Sequence, residues 1–397
     1  MPSPRRVLSS LAVAVATAAV LAVPSGPATA ADIPVGPSGE AFYTPPAPLS
    51  GAPGDPIWYR PAAVSVAESN QATAHTVLYR SVGATGEDIA VSGTVFVPKA
   101  PYDGVRPIVG LAPGTQGIGD KCAPSKAFVA GTEYEALAVG ELLKRGWAVA
   151  VTDYEGLGTP GDHTYVVGRS EGHALLDVVR AATRLPATGL RPGGKVALTG
   201  YSQGGGGAAW AAERQPEYAP ELNLVGVAAG GVPADLTAVA KTLDGSFGFG
   251  LLMFAAVGLD AAYPELNLAG YLNAAGKTEF ADRERCVGDI AAFAFRRISD
   301  YTTRNPLLDQ GWQRRLAENR LGSRPPTAPV FLYHGVLDEL VPFGQADALR
   351  REYCAKGVAV KWNVYIGEHL TTFLTGRGDA FTFLADRFAG KPAPRGC

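Results

Sequence analysis

Alternation of apolar and polar positions along the chain marks strands and helices in a repeating order. His75 to Arg80 and Ile89 to Val97 alternate with a period of two and predict antiparallel strands. Ile108 to Leu111 is a short apolar run of the kind buried on both faces, and it leads into the flexible stretch Ala112-Pro113-Gly114-Thr115-Gln116-Gly117. Glu133 to Lys144 has helical spacing and stops at Gly146; Trp147 to Thr152 reads as a strand and Leu175 to Leu185 as an amphipathic helix. Lys195 to Thr199 and Leu224 to Ala229 are further strands. Near the end, Val330 to Tyr333, Ala346 to Tyr353, Val358 to Ile366 and Thr371 to Phe388 read as strand, helix, strand and helix. Strands alternating with helices at this rhythm predict an α/β fold with a mostly parallel central sheet and helices on both faces.

The rhythm breaks once. About ninety residues separate Gly231 from the strand at Val330, far more than a simple connection needs. Leu236–Val239, Phe249–Phe254, Ile290–Ile298 and Trp312–Leu316 carry helical patterns with little β character. Residues 235–325 therefore read as an inserted, mostly helical cap that interrupts a core made of residues 31–234 and 326–397. The Pro-, Gly- and Ser-rich stretch Asp32 to Pro56 reads as an extended arm on the surface.

Residues 1–30 stand apart. Arg5 and Arg6 precede a nearly unbroken apolar run from Leu8 to Val23, and Ala28-Thr29-Ala30 supplies a small-residue cleavage site. The run is short for a spanning helix. It reads as a signal peptide, and the expected location is extracellular. The chain holds 35 basic and 37 acidic residues; two of the arginines lie in the leader, which leaves a net charge near −4. That balance argues against nucleic-acid partners and against strong attraction to anionic membranes. Four cysteines, Cys122, Cys286, Cys354 and Cys397, in an exported chain imply two disulfides with three possible pairings. A Cys354–Cys397 bridge would pin the C-terminal tail and leave Cys122 with Cys286. No C-x-x-C or His/Cys cluster suggests a metal, and no cofactor is expected.

The chemistry is concentrated at Gly200-Tyr201-Ser202-Gln203-Gly204. A β-branched strand precedes this G-x-S-x-G, and glycines and a helix-forming stretch follow it. Strand, tight turn and helix form the nucleophile elbow of an α/β-hydrolase. A serine hydroxyl needs a base, and the base needs an orienting acid. In this fold the order is serine, acid, histidine. Only His334 and His369 follow Ser202. His334 lies at a strand end, whereas His369 follows the Val358–Ile366 strand in the loop where a base belongs, so His369 is the candidate and His334 a structural or supporting residue. Asp338, directly after a strand and about thirty residues before His369, is the candidate acid, with Glu339 second. The backbone N–H of Gln203 is one expected oxyanion donor; the other is expected from the Pro113–Gly117 loop, at Gln116 or next at Thr115. Asp153-Tyr154-Glu155-Gly156 should flank the nucleophile and brace its loop.

Several segments together resemble the secretory lipase family of α/β-hydrolases: the elbow, Asp153-x-Glu155-Gly156, Ser170-Glu171-Gly172 leading into Leu176-Asp177, Cys122-Ala123-Pro124-Ser125, Asp338-Glu339-Leu340-Val341-Pro342 and Glu368-His369-Leu370. They spread over most of the mature chain. The resemblance implies an α/β-hydrolase with a large helical cap that acts on fatty-acid esters without metal or organic cofactor. It also implies triad roles for Ser202, Asp338 and His369, and the pairs Cys122–Cys286 and Cys354–Cys397. Two departures stand out. The family's type member has an acidic residue in the oxyanion loop, where this chain has Gly114-Thr115-Gln116-Gly117, and the elbow here carries Gln203 followed by four glycines.

The expected activity is therefore that of a secreted carboxylic-ester hydrolase, a lipase or medium-to-long-chain esterase. Phe247 to Phe254 is a candidate acyl-chain wall or, equally, the core of a cap helix. The expected partner is a small-molecule ester or lipid, with transient contact at a lipid interface and a monomer as the working form. Other readings are a short-chain or sugar-acetyl esterase, a peptidase, or a catalytically silent lipid-binding relative.

Overall fold

The structure is a computed structural model that describes residues 1–3, 33–394 and 396–397. The expected signal peptide lies almost entirely outside the described residues. From Ile33 onward the chain forms one unit. Its sheet has nine strands: β1 (Pro56–Pro61), β2 (Ala72–Val82), β3 (Asp88–Pro98), β4 (Ile108–Ala112), β5 (Ala148–Thr152), β6 (Lys195–Tyr201), β7 (Asn223–Gly230), β8 (Val330–Gly335) and β9 (Val360–Tyr365). The helices are α1 (Pro124–Ala130), α2 (Ala136–Lys144), α3 (Gly168–Arg184), α4 (Gln203–Tyr218), α5 (Leu236–Leu243), α6 (Phe249–Ala262), α7 (Ala274–Glu279), α8 (Ile298–Tyr301), α9 (Gln310–Glu318), α10 (Phe343–Ala355) and α11 (His369–Phe388). Strand order is β1-β2-β3-β5-β4-β6-β7-β8-β9, antiparallel from β1 to β5 and parallel from β5 to β9.

Apolar residues on successive strand positions bury against opposite faces, because side chains alternate along a strand. Val196 and Leu198 of β6, with Val330 and Leu332 of β8, pack under α3, α4 and α10. Their neighbours Ala197, Tyr201, Phe331 and Tyr333 pack on the other side, against α2 and α11. Central strands covered on both faces need continuous apolar sequence, which β4 and β5 have.

The sheet positions the elbow through very close backbone packing. A Cβ added at Gly204 would lie 2.0 Å from the Ala112 carbonyl oxygen, and one at Gly205 would lie 2.1 Å from that of Gly230. The first turn of α4 therefore sits wedged between the C-terminal ends of β4 and β7, a place open only to glycine.

Between β7 and β8 the chain leaves the core through α5 to α9, which enclose a second apolar cluster built from Leu243, Phe249, Leu259, Trp312 and others. The segment read as helical over Ile290–Ile298 is a 3-10 stretch, Val287–Phe293, followed by a break and the short α8. Helix α3 starts at Gly168, seven residues before the apolar periodicity predicts, because its first two turns carry the polar and small residues of Ser170-Glu171-Gly172-His173. Strand β1 was not predicted: a proline stands at each end of Pro56–Pro61, which suits an edge strand and conceals it. The N-terminal arm also does more than run over the surface. Phe42 and Tyr43 are buried in a small cluster with Leu78 and Ala90.

Two disulfides close the chain, Cys122–Cys286 and Cys354–Cys397. The second holds the C-terminal residue to α10. The first joins the segment after β4 to the stretch between α7 and α8.

The wedge yields a prediction. Gly205→Ala should lose about 3 kcal/mol of stability, the scale of a severe overpacking change, measured as a lower urea midpoint with the disulfides intact. An unchanged midpoint would show that the β7 end can retreat.

Candidate active site

Ser202 sits between β6 and α4 with φ +59° and ψ −123°, a conformation sparsely populated by non-glycine residues. Its own N–H donates to the Gly230 carbonyl at 3.0 Å, and its carbonyl accepts from the Gly206 N–H at 3.0 Å. The backbone is thus held from both sides and the hydroxyl is thrust out of the sheet.

His369 is the first residue of α11. Its Nε2 lies 2.9 Å from Ser202 Oγ, and its Nδ1 lies 2.7 Å from Asp338 Oδ2. Asp338 Oδ1 accepts the N–H groups of Leu340 and Val341, at 3.1 and 2.8 Å. Burial pushes this carboxyl up, but the His369 contact, with help from the Val341 N–H and His334, holds it below the usual aspartate range. The carboxylate is therefore the stable form that accepts the Nδ1–H, and it leaves Nε2 as a proton acceptor facing the serine. Residues 202, 338 and 369, remote in sequence, form one continuous hydrogen-bonded chain.

The neighbours are supporting groups. His334 donates from Nε2 to the Val341 carbonyl at 2.8 Å and lies 3.4 Å from Asp338 Oδ2, the oxygen that also faces His369. Burial lowers its basicity. Glu339, the second candidate acid, turns instead to the His369 backbone N–H at 3.1 Å, and Glu368 caps the next two N–H groups of α11. The histidine backbone is fixed from behind as well, by the Tyr201 hydroxyl donating to its carbonyl at 2.8 Å. Asp153 is fully buried and accepts from Ser92 Oγ at 2.6 Å and from both the N–H and the hydroxyl of Ser125.

The serine opens on an apolar cavity beneath the helices that lie between β7 and β8. Its lining is almost wholly apolar: Leu236, Val239, Phe249, Leu252, Leu259 and Trp312 are among the contributors. Of the stretch Phe247–Phe254, the side chains of Phe249, Leu251, Leu252 and Met253 reach it. Gln203 also lines the cavity beside Ser202.

Gln116 does not. Its amide donates to Glu133 Oε1 at 3.1 Å, and its carbonyl accepts from Val287 in the cap at 2.7 Å. Thr115 sits closer to the cavity wall, with Oγ1 2.7 Å from the hydroxyl of the lining residue Tyr165. Glu133 and Glu135, which begin the segment leading into α2, were not singled out from sequence. Both are buried against the 113–117 loop, where Glu135 accepts the Gly114 N–H at 3.0 Å. Carboxylates a few residues ahead of a helix look like ordinary first-turn acids, and only the fold reveals their burial.

A serine on a strained strand–helix turn, a histidine bridging it to a buried carboxylate, and a mixed sheet in this order define an α/β-hydrolase. Residues 123–396 match the family described as secretory lipase. The chain belongs to that family. A secreted triacylglycerol lipase of Malassezia furfur is similar at 30 % identity over 385 residues, covering 90 % of this chain and 77 % of that protein. A protein of Mycobacterium tuberculosis named "probable inactive lipase" is 31 % identical over 383 residues, covering 90 % of this chain and 84 % of its own. The crystal structure of Candida antarctica lipase A in its closed state is similar with a TM-score of 0.82 at 27 % identity, over 89 % of this chain and 87 % of that one.

The buried acids around the oxyanion loop and elbow give a pH prediction. Burial pushes Glu133 and Glu171 up to about 8 and Glu135 up to about 7, against an ordinary value of 4.5. Between those limits the folded chain keeps protons that the unfolded chain has released, so stability falls as pH rises through that window. The urea midpoint should decline from about pH 6.5 to about pH 8, above the range where His163 and His173, whose burial lowers their basicity, add the opposite slope; Glu133→Gln, which cannot ionise, should flatten part of that decline. A slope unaffected by the substitution would contradict the assignment.

Proposed function

We propose that this protein is a secreted carboxylic-ester hydrolase that cleaves fatty-acyl esters, with acylglycerols as its principal substrates. The observation that carries the reading is the unbroken chain from Ser202 Oγ through His369 to Asp338, with Ser202 opening on an apolar cavity. Ser202 Oγ attacks the ester carbonyl carbon while its proton passes to His369 Nε2. The tetrahedral intermediate collapses with cleavage of the carbon–oxygen bond, and His369 returns the proton to the departing alcohol. Water repeats the sequence on the acyl-enzyme and releases the acid. Asp338 stays ionised and steadies the imidazolium. The negative oxygen is met by the Gln203 backbone N–H, and by a second backbone donor from the 113–117 loop, Gln116 or Thr115.

The cavity supports a long apolar acyl chain over an acetyl group or a peptide, since a small or polar acyl group would leave most of its wall unsatisfied. Residues 235–325 act as the cap over this site. Exposed Leu337, next to Asp338, and exposed Ile366, Leu370 and Leu374, close to His369 along the chain or in its helix, support transient contact with a lipid interface. All three members of the relay come from one chain, which supports a working monomer. The relative named as inactive makes the silent-protein reading a real alternative, but the complete relay here favours catalysis.

Ser202→Ala should abolish turnover of p-nitrophenyl esters, and Asp338→Asn should lower kcat by about 10⁴-fold through the wrong imidazole tautomer. Failure of a fluorophosphonate to label Ser202 would favour the silent reading instead. Ala255→Trp, which fills the cavity, should cut kcat/KM for a C16 ester by about 10-fold or more while leaving a C4 ester within about twofold. An equal loss on both chain lengths would remove the acyl-site reading.

A further inference from the structure

Beside the nucleophile lies a group of buried polar side chains that the Ser202–His369–Asp338 relay does not use. Gln203 and Glu171 are each 2 % exposed and His163 is fully buried. The Gln203 amide Nε2 donates to Glu171 Oε1 at 2.8 Å and lies 3.3 Å from His163 Nε2. His163 places Nδ1 2.7 Å from the Glu155 carbonyl, so Nδ1 carries the proton and Nε2 accepts from the amide.

Glu171 has a second duty. The same Oε1 accepts the Val166 N–H at 2.9 Å. Val166 has φ +57°, a conformation that β-branched residues rarely hold, and it lines the cavity. Its neighbour Tyr165 contacts Thr115 of the oxyanion loop, hydroxyl to hydroxyl, at 2.7 Å. One carboxyl oxygen therefore joins the elbow to the 163–167 segment, and the Tyr165 hydroxyl joins that segment to the 113–117 loop. Both proposed sources of oxyanion donors meet in this network.

The elbow needs such a tie. Four glycines, Gly204 to Gly207, form the first turn of α4, where each costs roughly 1 kcal/mol of helix propensity relative to alanine. Gly204 and Gly205 can carry no side chain because the ends of β4 and β7 press against them. Gln203 is thus the residue at the start of this turn whose side chain can anchor it. A buried amide–carboxyl hydrogen bond is well suited to that task, since it is directional and shielded from water.

We propose that Glu171 is a positioning residue for the oxyanion site. It holds the Gln203 N–H through the Gln203 side chain, and it steadies the 113–117 loop through Val166, Tyr165 and Thr115. It touches no substrate. The inference rests on the reading of Ser202 as nucleophile and the Gln203 N–H as oxyanion donor. Misplaced donors weaken the charged intermediate more than the bound ester, so the effect falls on kcat rather than KM.

The test is a set of variants assayed on p-nitrophenyl butyrate. Glu171→Leu and Gln203→Met should each lower kcat about 10- to 100-fold with KM within about twofold. Each should weaken inhibition by an alkyl boronic acid, which mimics the tetrahedral intermediate, by a similar factor. The double variant should be no worse than the poorer single one, because both break one connection. Glu171→Gln should recover most of the lost kcat, since an amide oxygen at the same place accepts both N–H groups. The inference is overturned if the single variants keep kcat within about twofold, if their losses simply multiply, or if boronate affinity is untouched. It is also overturned if Glu171→Gln performs no better than Glu171→Leu, an outcome readable even when the leucine variant is poorly folded. Full turnover by Ser202→Ala would remove the underlying reading; a normal Glu171→Leu beside an inert Ser202→Ala would remove only this inference.

Discussion

The close approach of the first turn of α4 to the ends of β4 and β7 is the constraint from which the rest of the site follows. With Gly204 and Gly205 pressed against the carbonyls of Ala112 and Gly230, the turn between β6 and α4 has no room to relax. Ser202 is forced into its strained conformation, and the hydrogen bonds from Ser202 to Gly230 and from Gly206 to Ser202 lock it there. The strain is sustained by the sheet, whose central strands are buried on both faces and cannot shift singly.

A second set of connections ties the insertion between β7 and β8 to the same place. After the oxyanion loop, Gly117 pairs with Cys286, and Ile118 and Gly119 both donate to the Arg285 carbonyl. Val287 donates back to Gln116, and the Cys122–Cys286 disulfide closes the join covalently. The segment after β4 is therefore joined to residues 285–287, in the insertion between β7 and β8, by hydrogen bonds and by a covalent bridge alike. The buried carboxyls Glu133, Glu135 and Glu171 surround this junction, each placed on a backbone N–H or an amide. They hold loops that have no strand or helix of their own to hold them.

Much of the fold was legible because its signals are local. Both antiparallel strands, the buried runs of β4 to β8 and the elbow announce themselves by periodicity and by glycine placement. The insertion was visible as an interval too long for a connection. The failures are of two kinds. β1 escaped because its prolines suit an edge but resemble a loop, and the first turns of α3 escaped because polar residues that serve the site displace the apolar stripe there. Residues 290–298 read as one helix although their apolar positions answer to the cap interior rather than to a continuous helical face.

Sequence alone singled out the groups that the fold brings together: a serine in a glycine-flanked turn, a histidine and an aspartate in the right order, and cysteines enough for two bridges. Chain order restricts these choices because the fold's connectivity assigns each loop to one end of the sheet. Tertiary structure decided what those groups face. It turned Glu339 to a backbone N–H and Asp338 to the imidazole, aimed Gln116 away from the cavity, and buried Glu171 between the elbow and its neighbouring loop. The reason is physical. A residue's type and its place in a strand or helix are local properties, whereas burial, hydrogen-bond partner and charge state depend on which distant segments are packed against it.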